Sequence, residues 1–534
     1  MSLLERLFDA EHGASDRLIP RWIFLRALGL IYFSAFYSLL FQIRGLIGPN
    51  GILPANEYLQ AVAHEMGRAR LWYAPTVLWL SSGPHMLMAL CWVGTAAAVL
   101  VVLNIWPRIA LAICFVCFLS FVSAAQDFSG YQSDGMLLEA GFIALFFAPG
   151  GLGPRLGRFG PSRASLFLLQ WEWLRIYFES GVAKIVSGEP QWRNFTAMDE
   201  YYQNGPLPTW IGWYAQHLPH WFHAAATAGT LILELGVVWM LFMPRRIRIT
   251  CFFIATAWQI PVILTANYTF LNYLVLVLGF LLLDDRFIVR VLPKRWRMRL
   301  TSWMEKGNVR AAAPEATDEN EDMQLLRQRW RALRIAVCAV TLTWIFYVTT
   351  TEMLWMIWPR IKLPRSPVVA LYPFRIANQY GLFAVMTRGR WEIEFQGSDD
   401  GQNWLPYPFR YKPQDVRKPP GIYAPYQPRF DWNLWFASLG NWRENSIVPS
   451  TEEALLVNDA DVLGLFAGNP FAQHPPKLVR AVLWQYWFTS LEEKRTQGVW
   501  WRREFLGLYA PTLTRTADSR FGVVEWPPPA MPRQ

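Results

Sequence analysis

The chain has 534 residues, of which 53% are hydrophobic and only 17% charged, too apolar for an ordinary water-soluble protein of that length. Its net charge of +10 does not point to nucleic acid, because the Lys and Arg residues cluster in loops between apolar runs, where they set the orientation of membrane helices. The mean hydropathy of +0.15 averages two environments, with apolar runs in the first two thirds and a water-soluble remainder.

Residues 1–20 are polar and mixed in charge, unlike a cleaved signal peptide, so the first apolar helix is expected to act as an uncleaved signal. Nine stretches are predicted to cross a bilayer: 22–43, 85–103, 108–123, 135–148, 165–186, 221–243, 247–264, 270–283 and 335–357. The patch 75–82 is too short to span and reads as interfacial. Arg155, Arg158 and Arg163 share one loop, Arg245, Arg246 and Arg248 another, and a dozen more Lys and Arg lie in 286–334. The positive-inside rule makes these loops cytoplasmic. Nine spans then put the N-terminus inside and everything after Trp358 outside, together with the Lys- and Arg-free loops 126–134 and 268–269. The predicted organisation is a cytoplasmic segment 1–21, a helical membrane domain 22–300, a cytoplasmic linker 301–334, a last span 335–357 and an extracytoplasmic α+β, β-rich domain 358–534. Within the linker, 306–323 lacks apolar periodicity and reads as flexible.

In that last domain Trp391, Ile393 and Phe395 alternate with Glu392, Glu394 and Gln396, the period of a half-buried strand. Gly397-Ser398-Asp399-Asp400-Gly401 is a turn, and the alternation of Tyr407, Phe409 and Tyr411 completes a predicted hairpin. The stretches 451–466 and 476–487 read as helical or mixed.

Catalytic signatures are missing. No G-x-S-x-G elbow is present, and His64-Glu65-Met66-Gly67-Arg68 has Arg where a zincin needs its second His. His217, His220 and His223 are spaced for a helical metal pair, but Pro219 interrupts the helix, so no metal and no cofactor are expected. The five cysteines lie in or beside apolar runs, and Cys114-Ile113 neighbours make the Cys114, Cys117 pair a packing feature rather than a redox motif. More informative are ionisable or polar residues within predicted spans, which are costly in hydrocarbon and therefore face the bundle interior: Gln132, Asp134, Glu139, Glu172, Arg175, Glu179, Lys184 and Glu234, with Arg26 near the first span's start. Glu172, Arg175 and Glu179 share one helix face. They are expected either as interhelical ion pairs or as an outward-opening pocket with Lys184 and Glu179 as base and acid. The ion-pair reading is preferred, because every acidic member has a basic partner close by. Aromatic clusters at Trp432, Trp435 and Phe436 and at Trp500 and Trp501 exceed what a small core needs, and are expected to contact the membrane surface or a partner. Trp435 and Phe436, if in a strand, would face opposite sides.

Several motifs in one order resemble the lipase maturation factor family: Tyr131-Gln132-Ser133-Asp134, Leu137-Leu138-Glu139-Ala140-Gly141-Phe142, Ser180-Gly181-Val182-Ala183-Lys184, Gly205-Pro206-Leu207-Pro208, Arg429-Phe430-Asp431-Trp432 and Trp500-Trp501-Arg502-Arg503-Glu504. The resemblance covers about residues 22 to 513. It implies a multi-pass membrane protein that assists the folding or maturation of exported proteins, lipases among them, with membrane lipid and the exported client as partners. It supplies no catalytic residues. Compact length and short loops look more like a bacterial member, implying the inner membrane; a eukaryotic member would sit in the endoplasmic reticulum membrane. The helical part also resembles, distantly, that of vitamin K-dependent carboxylase-like proteins. The competing expectation is therefore a membrane-embedded enzyme or lipid-handling protein working through the polar cluster.

Overall fold

The computed structural model describes residues 2–151, 156, 159–295, 297–298, 321–518 and 520–528. The loop residues Arg155 and Arg158 and the predicted linker up to residue 320 lie outside the described residues.

A helix stands at each of the nine predicted places: α1 (Leu18–Leu40), α2 (Pro84–Leu103), α3 (Pro107–Val122), α4 (Gln132–Phe147), α5 (Arg163–Val186), α6 (His220–Leu235), α7 (Arg245–Thr265), α8 (Leu271–Gly279) and α9 (Glu321–Ile357). Pro84 and Pro107 occupy first turns, where a missing N–H costs nothing. Asn104, at φ 58°, ends α2 in a left-handed cap. By length and composition, five of the described helices can cross a membrane: Leu18–Leu40, Pro84–Leu103, His220–Phe242, Arg245–Thr265 and Leu325–Ile357. Of the others, α3, α4 and α8 are shorter, and α5 carries too many charges to qualify. The difference is physical: α5 has its ionisable side chains buried inside the protein, where neighbouring chain replaces water.

Small residues let the helices meet closely. The Gly94 Cα on α2 lies against the Phe36 ring of α1, and Gly141 of α4 lies against the Tyr32 hydroxyl of α1, which donates to the Leu137 carbonyl at 3.1 Å. A methyl at either glycine would overlap its neighbour, the usual reason for glycine between packed membrane helices.

Beyond α9 the chain forms an antiparallel sheet of six strands, β1 (Arg390–Ser398), β2 (Leu405–Pro406), β3 (Leu478–Phe488), β4 (Trp501–Leu508), β5 (Thr512–Arg515) and β6 (Phe521–Glu525), in the order β2-β1-β3-β5-β6 with β4 also on β3. The eleven-residue β3 pairs with β1 from Leu478 to Tyr486. Its other edge takes β5 at Leu478 and Val479 and β4 from Val482 onward. Helix α10 (Arg429–Leu439) packs on β1, where Ser438 Oγ donates to the Trp391 carbonyl at 3.0 Å, and α11 (Ile447–Leu456) packs on β3.

Three expectations change. The stretch 476–487 is a strand, not helical or mixed. The hairpin after Gly401 is short: β2 ends at Pro406, and 407–412 leaves the sheet after the Tyr407 N–H donates to the Phe395 carbonyl. Finally, β1 is buried on both faces rather than one. Glu392 tolerates this because Arg390 donates to it and Lys412 Nζ lies 2.9 Å away. Glu394 is met by Gln414 at 3.1 Å and Arg503 at 3.3 Å.

Gly141→Ala is expected to lower the melting temperature of the detergent-solubilised protein, costing about 1–3 kcal/mol through overpacking. Adding Tyr32→Phe removes the hydroxyl that the new methyl meets, so the double variant should melt above the sum of the two single losses. Strict additivity in thermal melts would contradict the close α1–α4 contact.

Candidate functional site

The polar residues of the spans divide into linked sets, and a segment from the sheet domain, residues 375–386, fills the space among them. In the first set, Arg175 of α5 is fully buried and pairs with Glu139 of α4, and its Nη1 is 3.7 Å from Glu179 Oε1 one turn along its own helix. Arg175 Nη1 also donates to the Asn378 carbonyl at 2.6 Å. Glu139 Oε2 accepts from the Asn378 N–H at 2.9 Å, the Asn378 side-chain amide at 3.1 Å and the Tyr380 hydroxyl at 2.9 Å. Glu179 Oε2 accepts from the Tyr380 N–H at 2.7 Å. Gln132 Oε1, at the start of α4, accepts from the Gly381 N–H at 3.0 Å.

The second set is Lys184 of α5 and Glu234 of α6, with Lys184 Nζ 2.9 Å from Glu234 Oε2. Lys184 also donates to the Leu382 carbonyl at 2.9 Å and the Ser180 carbonyl at 3.4 Å, and its ammonium stands 5.0 Å from the Trp192 ring. The third is Asp134, which holds Arg429 of α10 in a two-pronged pair at 2.7 and 2.8 Å, while the same guanidinium donates to the Phe128 carbonyl at 2.6 Å. Glu172 is fully buried and forms no ion pair among the described residues; Arg175 turns to Glu139 and Glu179 instead. Arg26 stands apart, stacked 4.0 Å over the Trp22 ring.

The segment enters and leaves through strained backbone: Arg375 at φ 52° and Phe383 at φ 56° are both left-handed without being glycine. Such strain persists only where surrounding contacts over-determine it, as the buried hydrogen bonds between these two residues do. The segment thus takes up Gln132 Oε1, Glu139 Oε2 and Glu179 Oε2, whereas both carboxylate oxygens of Glu172 find no hydrogen-bond partner among the described residues.

The aromatic clusters follow the same pattern. Trp432 and Trp435 lie on helix α10, not on a strand, and both are buried; Phe436 between them and the surface is 45% exposed. The Trp432 ring packs edge-on against Tyr131 at 5.3 Å and Tyr268 at 6.3 Å, both from loops of the membrane domain. Buried Trp501 packs 4.7 Å from Phe488 and 5.3 Å from the Arg390 guanidinium. Half-buried Trp500 packs edge-on 5.2 Å from Trp213 of the membrane domain, and its carbonyl accepts from the Trp213 indole N–H at 3.2 Å. Beside them Asp431, outside the spans, is pushed up to about 6 by burial, against the backbone N–H groups of Lys412 and Tyr411 that donate to it.

Asn378, Tyr380 and Arg429 were not singled out from the sequence as partners of the span charges. The histidines do not converge: His217 bonds the Trp213 and Thr489 carbonyls at 2.7 and 2.9 Å, and His220 bonds Asp199 at 2.9 Å. Among the described residues no group of three His, Cys, Asp or Glu is placed to hold a metal ion.

Comparison with known proteins is consistent with this two-part build. A family model described as "Lipase maturation factor transmembrane domain" matches residues 19–290, and one described as "Lipase maturation factor C-terminal domain" matches residues 376–511. Lipase maturation factor 2 of Gallus gallus is 32% identical over 93% of this chain and 81% of its own length. Lipase maturation factor 1 of Bos taurus is 32% identical over 96% and 92%, and lipase maturation factor 2 of Homo sapiens 29% over 97% and 86%. No solved structure matches the chain at a significant level.

Removing one charge from the buried set leaves its partner unpaired, so Arg175→Ala is expected to destabilise the full chain by about 3–5 kcal/mol, whereas Arg26→Ala, outside the set, should change the melting temperature little. Equal losses would show that burial, not pairing, decides. On α10, Trp432→Ser is expected to cost about 3–5 kcal/mol as a core deletion, while Phe436→Ser should stay within about 0.5 kcal/mol, the usual range of surface changes. A melt in which Phe436→Ser is the more damaging would overturn the assignment of these two rings.

Proposed function

The chain belongs to the lipase maturation factor family, and we propose that it assists the maturation of exported lipases, holding the client on its sheet domain at the membrane surface. The observation that carries this reading is the continuous match to both family domains in one chain, spanning nearly its full length. The site geometry supports it against the enzymatic alternative. Lys184, the candidate base, is held as an ammonium by Glu234 and two backbone carbonyls, and an ammonium has no lone pair with which to take a substrate proton.

We further propose nine spans with the sheet domain extracytoplasmic, in the bacterial inner membrane or, for a eukaryotic source, the endoplasmic reticulum membrane. Basic loops support this sidedness. Arg245 pairs with Asp284 at 2.5 Å, and Arg331 pairs with Asp9 at 2.5 Å, so the N-terminal segment and two basic loops gather at one end of the bundle. The sheet domain sits at the other end, on Tyr131, Asp134 and Trp213. In this reading the domain limits are 1–21, 22–300, 301–334, 335–357 and 358–534, with the sheet domain the part presented to the client.

Of the aromatic residues expected to touch a partner, Trp432, Trp435 and Trp501 are buried, so the proposed contact surface rests on exposed Phe436 and half-buried Trp500, together with exposed Phe505 and Leu506 of β4. Membrane lipid remains the proposed neighbour of the bundle.

The test is site-specific photocrosslinking in cells that secrete a lipase. A crosslinker at Phe436 or Phe505 is expected to capture the immature lipase, and one at Arg290, at the opposite end of the bundle, is not. Capture from Arg290 alone, or of lipid alone from all three, would sink the proposal. Sidedness is checked by a reporter active only outside the cytoplasm, which should work fused after Gln534 and fail within 306–323; the reverse pattern would refute the arrangement.

A further inference from the structure

Between α5, α6, α7 and α8, at the end nearest the sheet domain, the bundle lines a partly open cavity of ≈ 260 Å³. Its wall is mostly apolar and aromatic: Tyr177, Phe222, Trp258, Val262, Leu271 and Val275 contribute from all four helices. Trp192, Tyr201 and Phe383 lie over it, and the Trp192 indole N–H is fixed to the Phe383 carbonyl at 3.0 Å. A cavity of 150 Å³ lined by apolar side chains stays dry and takes up a benzene-sized guest, so this larger one has room for a longer hydrocarbon segment. At this volume it has room for part of one acyl chain, whose remainder leaves through the open side of the cavity.

The few polar groups in the wall restrict what the polar end of such a guest can be. An ammonium has three donors, and those of Lys184 are directed to Glu234, the Leu382 carbonyl and the Ser180 carbonyl. No cation is left to balance an anionic head group. The Glu234 carboxylate, by contrast, has about four acceptor positions and meets only this one ammonium, so it retains capacity for a donor. The neighbouring Gln259 amide donates only weakly, at 3.5 Å to the Asn272 carbonyl, while its oxygen accepts from the Tyr177 hydroxyl at 3.0 Å. A donor-rich, uncharged end is therefore preferred over a carboxylate or phosphate.

We propose that this cavity is a binding site for a neutral single-chain amphiphile with a hydroxyl-bearing end, of the monoacylglycerol type, whose chain lies among the α6 and α7 aromatics and whose hydroxyl donates to Glu234. The site is independent of the client-holding reading above, and its test needs no client.

The full-length protein is placed in phosphatidylcholine vesicles with a monoacylglycerol carrying a diazirine in its acyl chain, irradiated, and mapped by peptide mass spectrometry. Label is expected in α6 and in the second half of α7. Unlabelled monoolein should displace it, while oleate and added phosphatidylcholine at the same concentration should not. Ala226→Phe and Thr230→Leu, which fill the cavity from α6, should each reduce labelling about tenfold with the melting temperature retained. Two substitutions keep the test usable if one fails to fold, and the competition series uses the unaltered chain. Displacement by oleate as strong as by monoolein, label spread evenly over membrane-facing helix surfaces, or undiminished labelling in a folded cavity-filling variant would each overturn the proposal.

Discussion

The buried charge of Arg175 constrains this molecule more than any other feature. A guanidinium inside a helical bundle has lost its water, and the cost is met only if several acceptors replace the hydration shell in the right geometry. Glu139 and Glu179 supply charge, but the arrangement is completed by a piece of chain more than 200 residues later, through the Asn378 carbonyl, the Asn378 and Tyr380 N–H groups and the Tyr380 hydroxyl. The membrane domain therefore carries polar groups that its own helices do not satisfy, and the sheet domain carries the segment that satisfies them.

That dependence fixes how the two domains sit. The inserted segment anchors one place, the Asp134–Arg429 pair a second, and the edge-on packing of Trp500 against Trp213 a third. Three separated attachments prevent the sheet from pivoting about any one of them. Trp432, Trp213 and Trp500 bridge the domains, and Phe436 and Phe505 are among the large rings of the sheet domain that remain exposed.

The sequence made some of this legible and hid the rest for identifiable reasons. Apolar runs and the placement of Arg and Lys are direct consequences of the membrane as solvent, so a helix stands at each predicted run, although the last one starts at Glu321, inside the stretch read as linker, because its charged first turns continue the same helix. The charged face of α5 was equally visible. The segment 375–386 was not, because it is recognised mainly through backbone groups of Asn378, Tyr380, Gly381 and Leu382, which every residue possesses and no pattern betrays. Arg429 stands in a motif noted from the sequence, yet nothing local pairs it with an aspartate 295 positions away. In β1 the alternation of Glu with apolar residues suggested a wet face; the salt partners Arg390, from β1 itself, and Lys412 and Arg503, from elsewhere in the domain, make that face an interior one.

The order of synthesis gives the same geometry a consequence for folding. Helices α4 and α5 are complete long before residue 378 exists, and at that stage Glu139 can pair with Arg175 but its second oxygen has no N–H or hydroxyl to accept from. The Glu179 oxygen that later accepts from Tyr380 is in the same position, as is Gln132. Polar groups left unpaired inside an apolar bundle are costly, so the entry of the segment stabilises the bundle. Conversely, the segment holds left-handed backbone at Arg375 and Phe383 that only the bundle's contacts maintain. Each half thus supplies hydrogen-bond partners that the other lacks, and the contact between membrane and sheet domains adds to the stability of both.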